Sequence, residues 1–266
     1  MKMAHHKATI FLSDAHLNDS DPIRQERLVN FLKKQTELDR LYIVGDLFDF
    51  WFGYKTVIFR YYIPILCQLY RLHEQGCEIV YVLGNHDFYL GPLFRETIPM
   101  RIVPADSIEL IGDKKVYVVH GDGINKSDYG YRFLRFMVRS KMVQILFKWI
   151  HPDIGWFMAK LLSRSSRSYR NLLKCDREIV YLDYGLQKIK EGADVCIMAH
   201  SHFPLIKKYE LSQKSGLVIN IGDWMDNLTY LEYTAQDGFK FYQYQGENRI
   251  ELQPETVTAH VPLAPN

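Results

Sequence analysis

Five apolar, β-branched or aromatic runs in this chain each give way to residues that can ligate a metal, and this repetition constrains the fold more than any other feature. The runs are Ala8–Leu12, Leu41–Val44, Ile79–Leu83, Val116–Val119 and Val195–Ala199. Behind them, in order, come Asp14-Ala-His16, Gly45-Asp46, Gly84-Asn85-His86-Asp87, His120-Gly121 and His200-Ser-His202. Apolar runs of this length read as buried strands. Open α/β sheets build their sites at the carboxyl ends of such strands. A lone D-x-H or H-x-H carries no weight, because such pairs occur everywhere. Five pieces, each at the end of a run, describe one site. A spacing of two turns both side chains of D-x-H and of H-x-H to the same side of a strand end.

The donor types specify the chemistry. Two divalent cations a few ångströms apart need a ligand that reaches both, and the two oxygens of a carboxylate can do this; Asp46 is the candidate bridge. Imidazole, carboxylate and one amide oxygen, without thiolate, suit manganese, iron, zinc or cobalt and do not select among them. A cation pair of this kind lowers the pKa of a water and stabilises entering and leaving oxygens at phosphorus. The expectation is therefore an α/β protein whose site performs hydrolysis at phosphorus.

Charge supplies the second constraint. From Ile124 to Glu178 there are twelve Lys/Arg against four Asp/Glu, an excess of eight positive charges, so the rest of the chain is acidic within a total of +2. The same stretch is strongly apolar, with Phe133-Leu-Arg-Phe-Met137, Met142–Phe147, Trp149, Trp156-Phe-Met158 and Leu161-Leu162 at helical spacing and Pro152 separating two helices. It is expected to form a helical cap over residues 124–185, inserted between core segments 1–123 and 186–250, with a mobile tail at 251–266. Three readings of the cap stay open: an ordinary helical subdomain, a lid with basic residues for an anionic substrate and aromatic faces for an apolar one, or a peripheral membrane contact through Trp149, Trp156 and Phe157.

At 266 residues the chain can bury the core of one large α/β domain. A net charge near zero implies no general field for nucleic acid, and nothing fixes an oligomeric state. Cys67, Cys77, Cys175 and Cys196 show no C-x-x-C spacing and read as buried thiols of a reducing compartment. The first residues lead straight into the Asp14 strand, leaving no room for a cleaved signal peptide, and no apolar stretch reaches membrane-spanning length. A cytoplasmic location is expected. Helices are expected over Asp21–Leu38 and Tyr61–Gln75. Runs at Leu217–Ile221, Leu228–Tyr233 and Phe239–Tyr244 should form the antiparallel end of a second sheet.

The order D-x-H, GDxxD, GNHD, H, H-x-H resembles the calcineurin-like metallophosphoesterase superfamily. Within it, Phe11–Leu17, Leu41–Trp51, Gly84–Phe88, His120-Gly-Asp122, Asp128–Tyr131, Leu162–Arg167 and His200–Pro204 are similar to the UDP-2,3-diacylglucosamine pyrophosphohydrolase family of lipid A biosynthesis. The resemblance covers roughly Ala8 to Tyr244. It implies a two-sheet sandwich flanked by helices, and hydrolysis of UDP-2,3-diacylglucosamine to UMP and 2,3-diacylglucosamine 1-phosphate at the inner membrane surface. Two divalent cations are implied, manganese foremost. Asp14, His16, Asp46 and His202 resemble the ligands of the first, and Asp46, Asn85, His120 and His200 those of the second. Asn85 and His200 also resemble substrate contacts, and His86 is placed to meet a phosphoryl oxygen, with Asp87 orienting its ring. In the cap, Asp128, Ser166, Arg170 and Lys174 stand at or next to substrate-contact positions, Arg170 differing in type. There is one departure: the best-known members read GNRD, so His86 stands where they have arginine. Histidine there is the general superfamily pattern and occurs in a sister group of the lipid A enzymes. A soluble nucleotide or other phosphodiester is the alternative substrate.

Overall fold

A computed structural model describes residues 8–124, 140–158, 177–212 and 214–258. Every ligand-bearing run of the sequence is a strand. β1 (Ala8–Leu12), β2 (Leu38–Val44), β4 (Glu78–Val82) and β6 (Arg101–Val103) lie parallel and adjacent, with α1 (Pro22–Lys33), α2 (Ile63–Glu74), β3 (Trp51–Phe52) and β5 (Asp87–Tyr89) between them in the chain. α1 starts where Asp21 accepts the Arg24 amide at 3.1 Å and Pro22 sets the first turn. α2 stops before Gly76, whose φ is +86°.

β7 (Asp106–Ile111) and β8 (Lys114–Val119) open the second sheet. The cap contributes α3 (Lys141–Phe147) and a helical segment at 152–158, called α4. α5 (Arg177–Lys190) leads to β9 (Val195–Met198), β10 (Pro204–Glu210), β11 (Ser215–Ile221), β12 (Thr229–Thr234), β13 (Gly238–Gln245), β14 (Asn248–Leu252) and β15 (Glu255–Thr258). The sheet orders are β14-β13-β12-β1-β2-β4-β6 and β15-β10-β11-β9-β8-β7, with β3-β5 as a small ribbon.

Burial follows from this layering. Phe11, Tyr42, Val44, Val80 and Val82 of the first sheet meet Val116, Val118, Val195, Ile197, Ile219 and Ile221 of the second. Alternate residues of the first sheet face outward instead, so that Ile10, Leu12, Leu41, Ile43 and Ile79 pack under α1 and α2. α5 covers the outer face of the second sheet with Tyr181 and Ile189. The result is the expected two-sheet sandwich flanked by helices.

Four expectations need correction. β12 and β13 do not extend the second sheet; they pair antiparallel beside β1 in the first, and only β11 joins the second, parallel to β9 and antiparallel to β10. The cap boundary at 185 cuts through α5, which is one core helix. The tail assigned to 251–266 holds β15, paired parallel to β10, and residues 259–266 lie outside the described set. Cys67 is exposed, unlike Cys77 and Cys196; Cys175 lies outside the described residues. Among the described residues no helix is long and apolar enough to cross a membrane.

Candidate metal centre

Asp14 and His16 lie beyond the end of β1, Asp46 beyond β2, Asn85 and His86 beyond β4, His120 beyond β8, and His200 and His202 beyond β9. Convergence comes from the backbone after the strands rather than from the pleat. Asp14, His16, Asp46, His200 and His202 have φ of 49°, 41°, 54°, 67° and 60°, the left-handed region that non-glycine residues rarely occupy. Each costs about 1–2 kcal/mol. Paired hydrogen bonds hold the arrangement: Asp14 N–H to Gly45 O at 3.1 Å, His16 N–H to Asp46 O at 3.0 Å, and His200 N–H to Asp14 Oδ2 at 3.0 Å. Gly45 and Gly84 have no room for a Cβ: one at Gly45 would collide with the His120 ring and one at Gly84 with the Asp46 carboxylate.

The donor atoms form a continuous series. Asp14 Oδ1 lies 3.5 Å from His202 Nε2 and 3.6 Å from His16 Nε2. Asp46 Oδ2 lies 3.7 Å from His16 Nε2 and 3.4 Å from His120 Nε2, which is 3.3 Å from Asn85 Oδ1. Asp14, His16 and His202 form one cluster of donors within 4.8 Å, and Asp46, His120 and His200 another, with Asp46 also grouped with His16 and His86. Asp46 therefore stands between the two clusters. Its two oxygens do not divide the work, however. Oδ1 accepts the His86 N–H at 2.9 Å, and Oδ2 alone faces both His16 and His120.

These residues fit a pair of cations. Asp14 Oδ1, His16 Nε2 and Asp46 Oδ2 are buried without a hydrogen-bond partner, although such atoms are costly to leave unsatisfied. Donors about 2.1 Å from a shared centre stand about 3–3.5 Å apart, close to the spacings here. His120 Nδ1 contacts Val44 O at 2.8 Å; a carbonyl only accepts, so Nδ1 carries a proton and Nε2 is the atom that would bind a metal once its own proton leaves.

Electrostatics agree. Burial would raise the Asp14 and Asp46 carboxyls, but the facing His202 and His16, and His120, hold both below the usual range. Burial would lower His16 and His120, yet Asp14 and Asp49 bring His16 up to about 9, and Asp46 brings His120 up to about 10. Burial, with His120 adding to it, lowers His200. The two buried carboxylates keep protons on the imidazoles that face them, and a bound cation would take the place of those protons.

Two roles differ from expectation. Asp87 does not orient the His86 ring. It accepts the amides of Asp46 at 3.0 Å and Gly84 at 2.8 Å and the Tyr81 hydroxyl at 2.7 Å, which locks the metal loops together. Burial and the Asp46 charge push its carboxyl up to about 6. The His86 ring is held by Asp49, whose carbonyl oxygen lies 2.6 Å from Nδ1 and whose carboxylate lies 3.7 Å from His16 Nδ1. Asp49 is the last residue of the GDxxD motif, so the signal for it was in the sequence. Asp128, Ser166, Arg170 and Lys174 lie outside the described residues.

The described part of the cap docks beside the His86 loop. Phe147 packs on Phe50 and Phe52, the Gln144 amide donates to Phe88 O at 3.0 Å, and Tyr54 donates to Ile150 O at 3.3 Å. Trp156 is half-buried and packs among Phe59, Tyr61 and Tyr62, whereas Trp149 is 87% exposed and Phe157 63%.

A sandwich of two sheets that brings carboxylate, imidazole and amide donors to one edge in this order defines a metallophosphoesterase. Residues 8–204 match the family model for calcineurin-like phosphoesterases, and the chain belongs to that family of metal-dependent hydrolases. The UDP-2,3-diacylglucosamine hydrolase of Histophilus somni is 29% identical over 240 residues, which cover 88% of this chain and 99% of that one. The protein of the same name from Psychromonas ingrahamii is 28% identical over 235 residues, covering 84% and 92%. A solved structure of a predicted phosphoesterase from Streptococcus pneumoniae, 17% identical, covers 94% of this chain and 99% of that one at a TM-score of 0.39, too slight a likeness to add to the argument.

Proposed function

We propose that this chain hydrolyses the pyrophosphate bond of UDP-2,3-diacylglucosamine, giving UMP and 2,3-diacylglucosamine 1-phosphate, with two manganese ions. The observation that carries the reading is the double donor cluster centred on Asp46, in a chain aligned nearly end to end with hydrolases of that name. Asp14, His16, Asp46 and His202 would hold one cation, and Asp46, Asn85, His120 and His200 the other. When bound, the cations activate water and neutralise charge at phosphorus. Attack falls on the phosphorus next to uridine; the water oxygen joins UMP, and the acylated sugar phosphate leaves with the bridging oxygen. His86, with Nδ1 committed to the Asp49 carbonyl, offers Nε2 to a phosphoryl oxygen, donating when the ring is protonated.

The cap supports a lipid substrate. Met142, Ile145, Leu146, Trp149, Ile154 and Phe157 are exposed beside Lys148, a surface suited to acyl chains and to a peripheral contact with anionic headgroups at the inner membrane. Asp128, Ser166, Arg170 and Lys174 are the proposed substrate contacts from the cap.

Purified protein with manganese and UDP-2,3-diacylglucosamine in ¹⁸O-water should release UMP carrying the label and leave the lipid phosphate unlabelled. Label in the lipid phosphate would refute the site of attack. No cleavage of this lipid, together with hydrolysis of soluble dinucleotides or cyclic nucleotides, would transfer the assignment to a soluble phosphodiester.

A further inference from the structure

Residues 222–228, between β11 and β12, supply no ligand, yet they grip the chain on both sides of the first donor cluster. The Trp224 amide donates to the carbonyls of Ser13 and Asp14, at 3.2 and 3.3 Å. The side-chain amide of Asn227 has two hydrogens and both are used: one goes to His202 O at 2.9 Å, the other to Asp223 Oδ2 at 2.6 Å. Asp223 is 1% exposed. Its Oδ1 accepts the amides of Met225, Asp226 and Asn227 at 2.7, 2.7 and 3.1 Å, which shapes the turn. Its Oδ2 lies 3.9 Å from His202 Nδ1, beyond hydrogen-bond length. The carboxylate therefore acts on the imidazole through its field, and on the His202 backbone through Asn227.

We propose that Asp223 and Asn227 are positioning residues for the first cation site, holding His202 with Nε2 towards Asp14 and Nδ1 towards the Asp223 carboxylate. His202 needs such support. Its backbone is in the left-handed region, and its ring stacks on His16 at 5.2 Å between centroids, so a small rotation would carry Nε2 away from Asp14. The second cluster takes its orientation from elsewhere, with His120 anchored by Val44 O. Loss of Asp223 or Asn227 should therefore weaken one cation site and spare the other. An outer partner of a ligating histidine is worth about 10–100-fold in metal affinity.

The inference rests on the two-cation reading and not on any substrate, so metal binding is the readout. Manganese is titrated calorimetrically into chelator-treated full-length protein. Asp223→Asn and Asn227→Ala should each weaken one of two sites about 10–100-fold and leave the other within about twofold. His202→Ala identifies which isotherm step belongs to the first site. In that background Asp223→Asn should add little, because its effect passes through the missing ring. Excess manganese should restore turnover of a bis-aryl phosphate by Asp223→Asn. Equal weakening of both sites, an unchanged isotherm, or a full additional loss in the His202→Ala background would overturn the assignment. Asn227→Ala leaves the Asp223 turn contacts to Met225 and Asp226 in place and carries the test if Asp223→Asn does not fold. If that isotherm matches wild type, the positioning role is refuted while the two-cation centre stands.

Discussion

Replacing Asp46 with Asn removes one unit of charge and almost no volume. The amide oxygen can still accept the His86 N–H that Oδ1 takes now, so the loop keeps its shape. What disappears is the charge on Oδ2, the atom that faces His16 and His120 at 3.7 and 3.4 Å. Two unit charges about 4 Å apart interact by about 4 kcal/mol at an effective dielectric constant of about 20, and a dication doubles that. If relaxation returns half, each cation loses on the order of 4 kcal/mol, or about three orders of magnitude in affinity. Near neutral pH the metal-free variant should be less stable than metal-free wild type by up to about 3–5 kcal/mol, since His16 and His120 lose the buried carboxylate that holds their protons. Manganese should then raise the Tm of wild type alone. Calorimetry, metal content after dialysis and hydrolysis of a bis-aryl phosphate read the effect three ways. Two equivalents bound at wild-type affinity, or a rate within tenfold of wild type, would show that Asp46 bridges nothing.

Three further outcomes follow from the geometry. Gly84→Ala places a methyl group against the Asp46 carboxylate and its amide, so it should weaken metal binding and activity together while leaving the far end of the sandwich intact, as hydrogen exchange would show. His16 and His120, raised to about 9 and about 10 by Asp14 and Asp46 against the effect of burial, give metal-free protein a stability that is full below about pH 6.5 and lost as pH climbs through 9 to 10; denaturant midpoints should fall across that window for wild type and fall less for Asp46→Asn, while manganese affinity rises with pH as the protons leave. Trp156→Ala should cost about 2–4 kcal/mol in stability by emptying the aromatic cluster of Phe59, Tyr61 and Tyr62, and Trp149→Ser should change Tm negligibly but lower kcat/KM for a diacylated substrate more than for a bis-aryl phosphate.

Where the sequence was legible, the reason was local. An apolar run and the polar residues behind it are neighbours in the chain, so the five ligand-bearing strands and their donors could be read directly. Assignments that depend on distant partners could not. Nothing in Leu228–Tyr233 says that it pairs with Thr9–Phe11 more than two hundred residues earlier rather than with the nearer β11. Asp87 stood next to His86 and was read as its partner, but the loop turns its carboxylate back to the Asp46 and Gly84 amides. Asp223 follows a strand like any ligand-bearing residue, yet its role depends on Asn227 reaching His202, a relation between side chains that spacing does not encode.

The donors of each cluster come from both sheets: Asp14, His16, Asp46 and Asn85 from the first, His120, His200 and His202 from the second. The cations would therefore act as a clasp across the mouth of the sandwich, adding to the apolar packing inside it and to the His200–Asp14 and His120–Val44 hydrogen bonds that already cross that edge. This has a kinetic corollary. The ligand set spans residues 14 to 202, so it exists only after β1 and β9 have found their own sheets, and metal cannot nucleate folding. Refolding with and without manganese should proceed at the same rate, and the metal should act afterwards by slowing the opening of that edge.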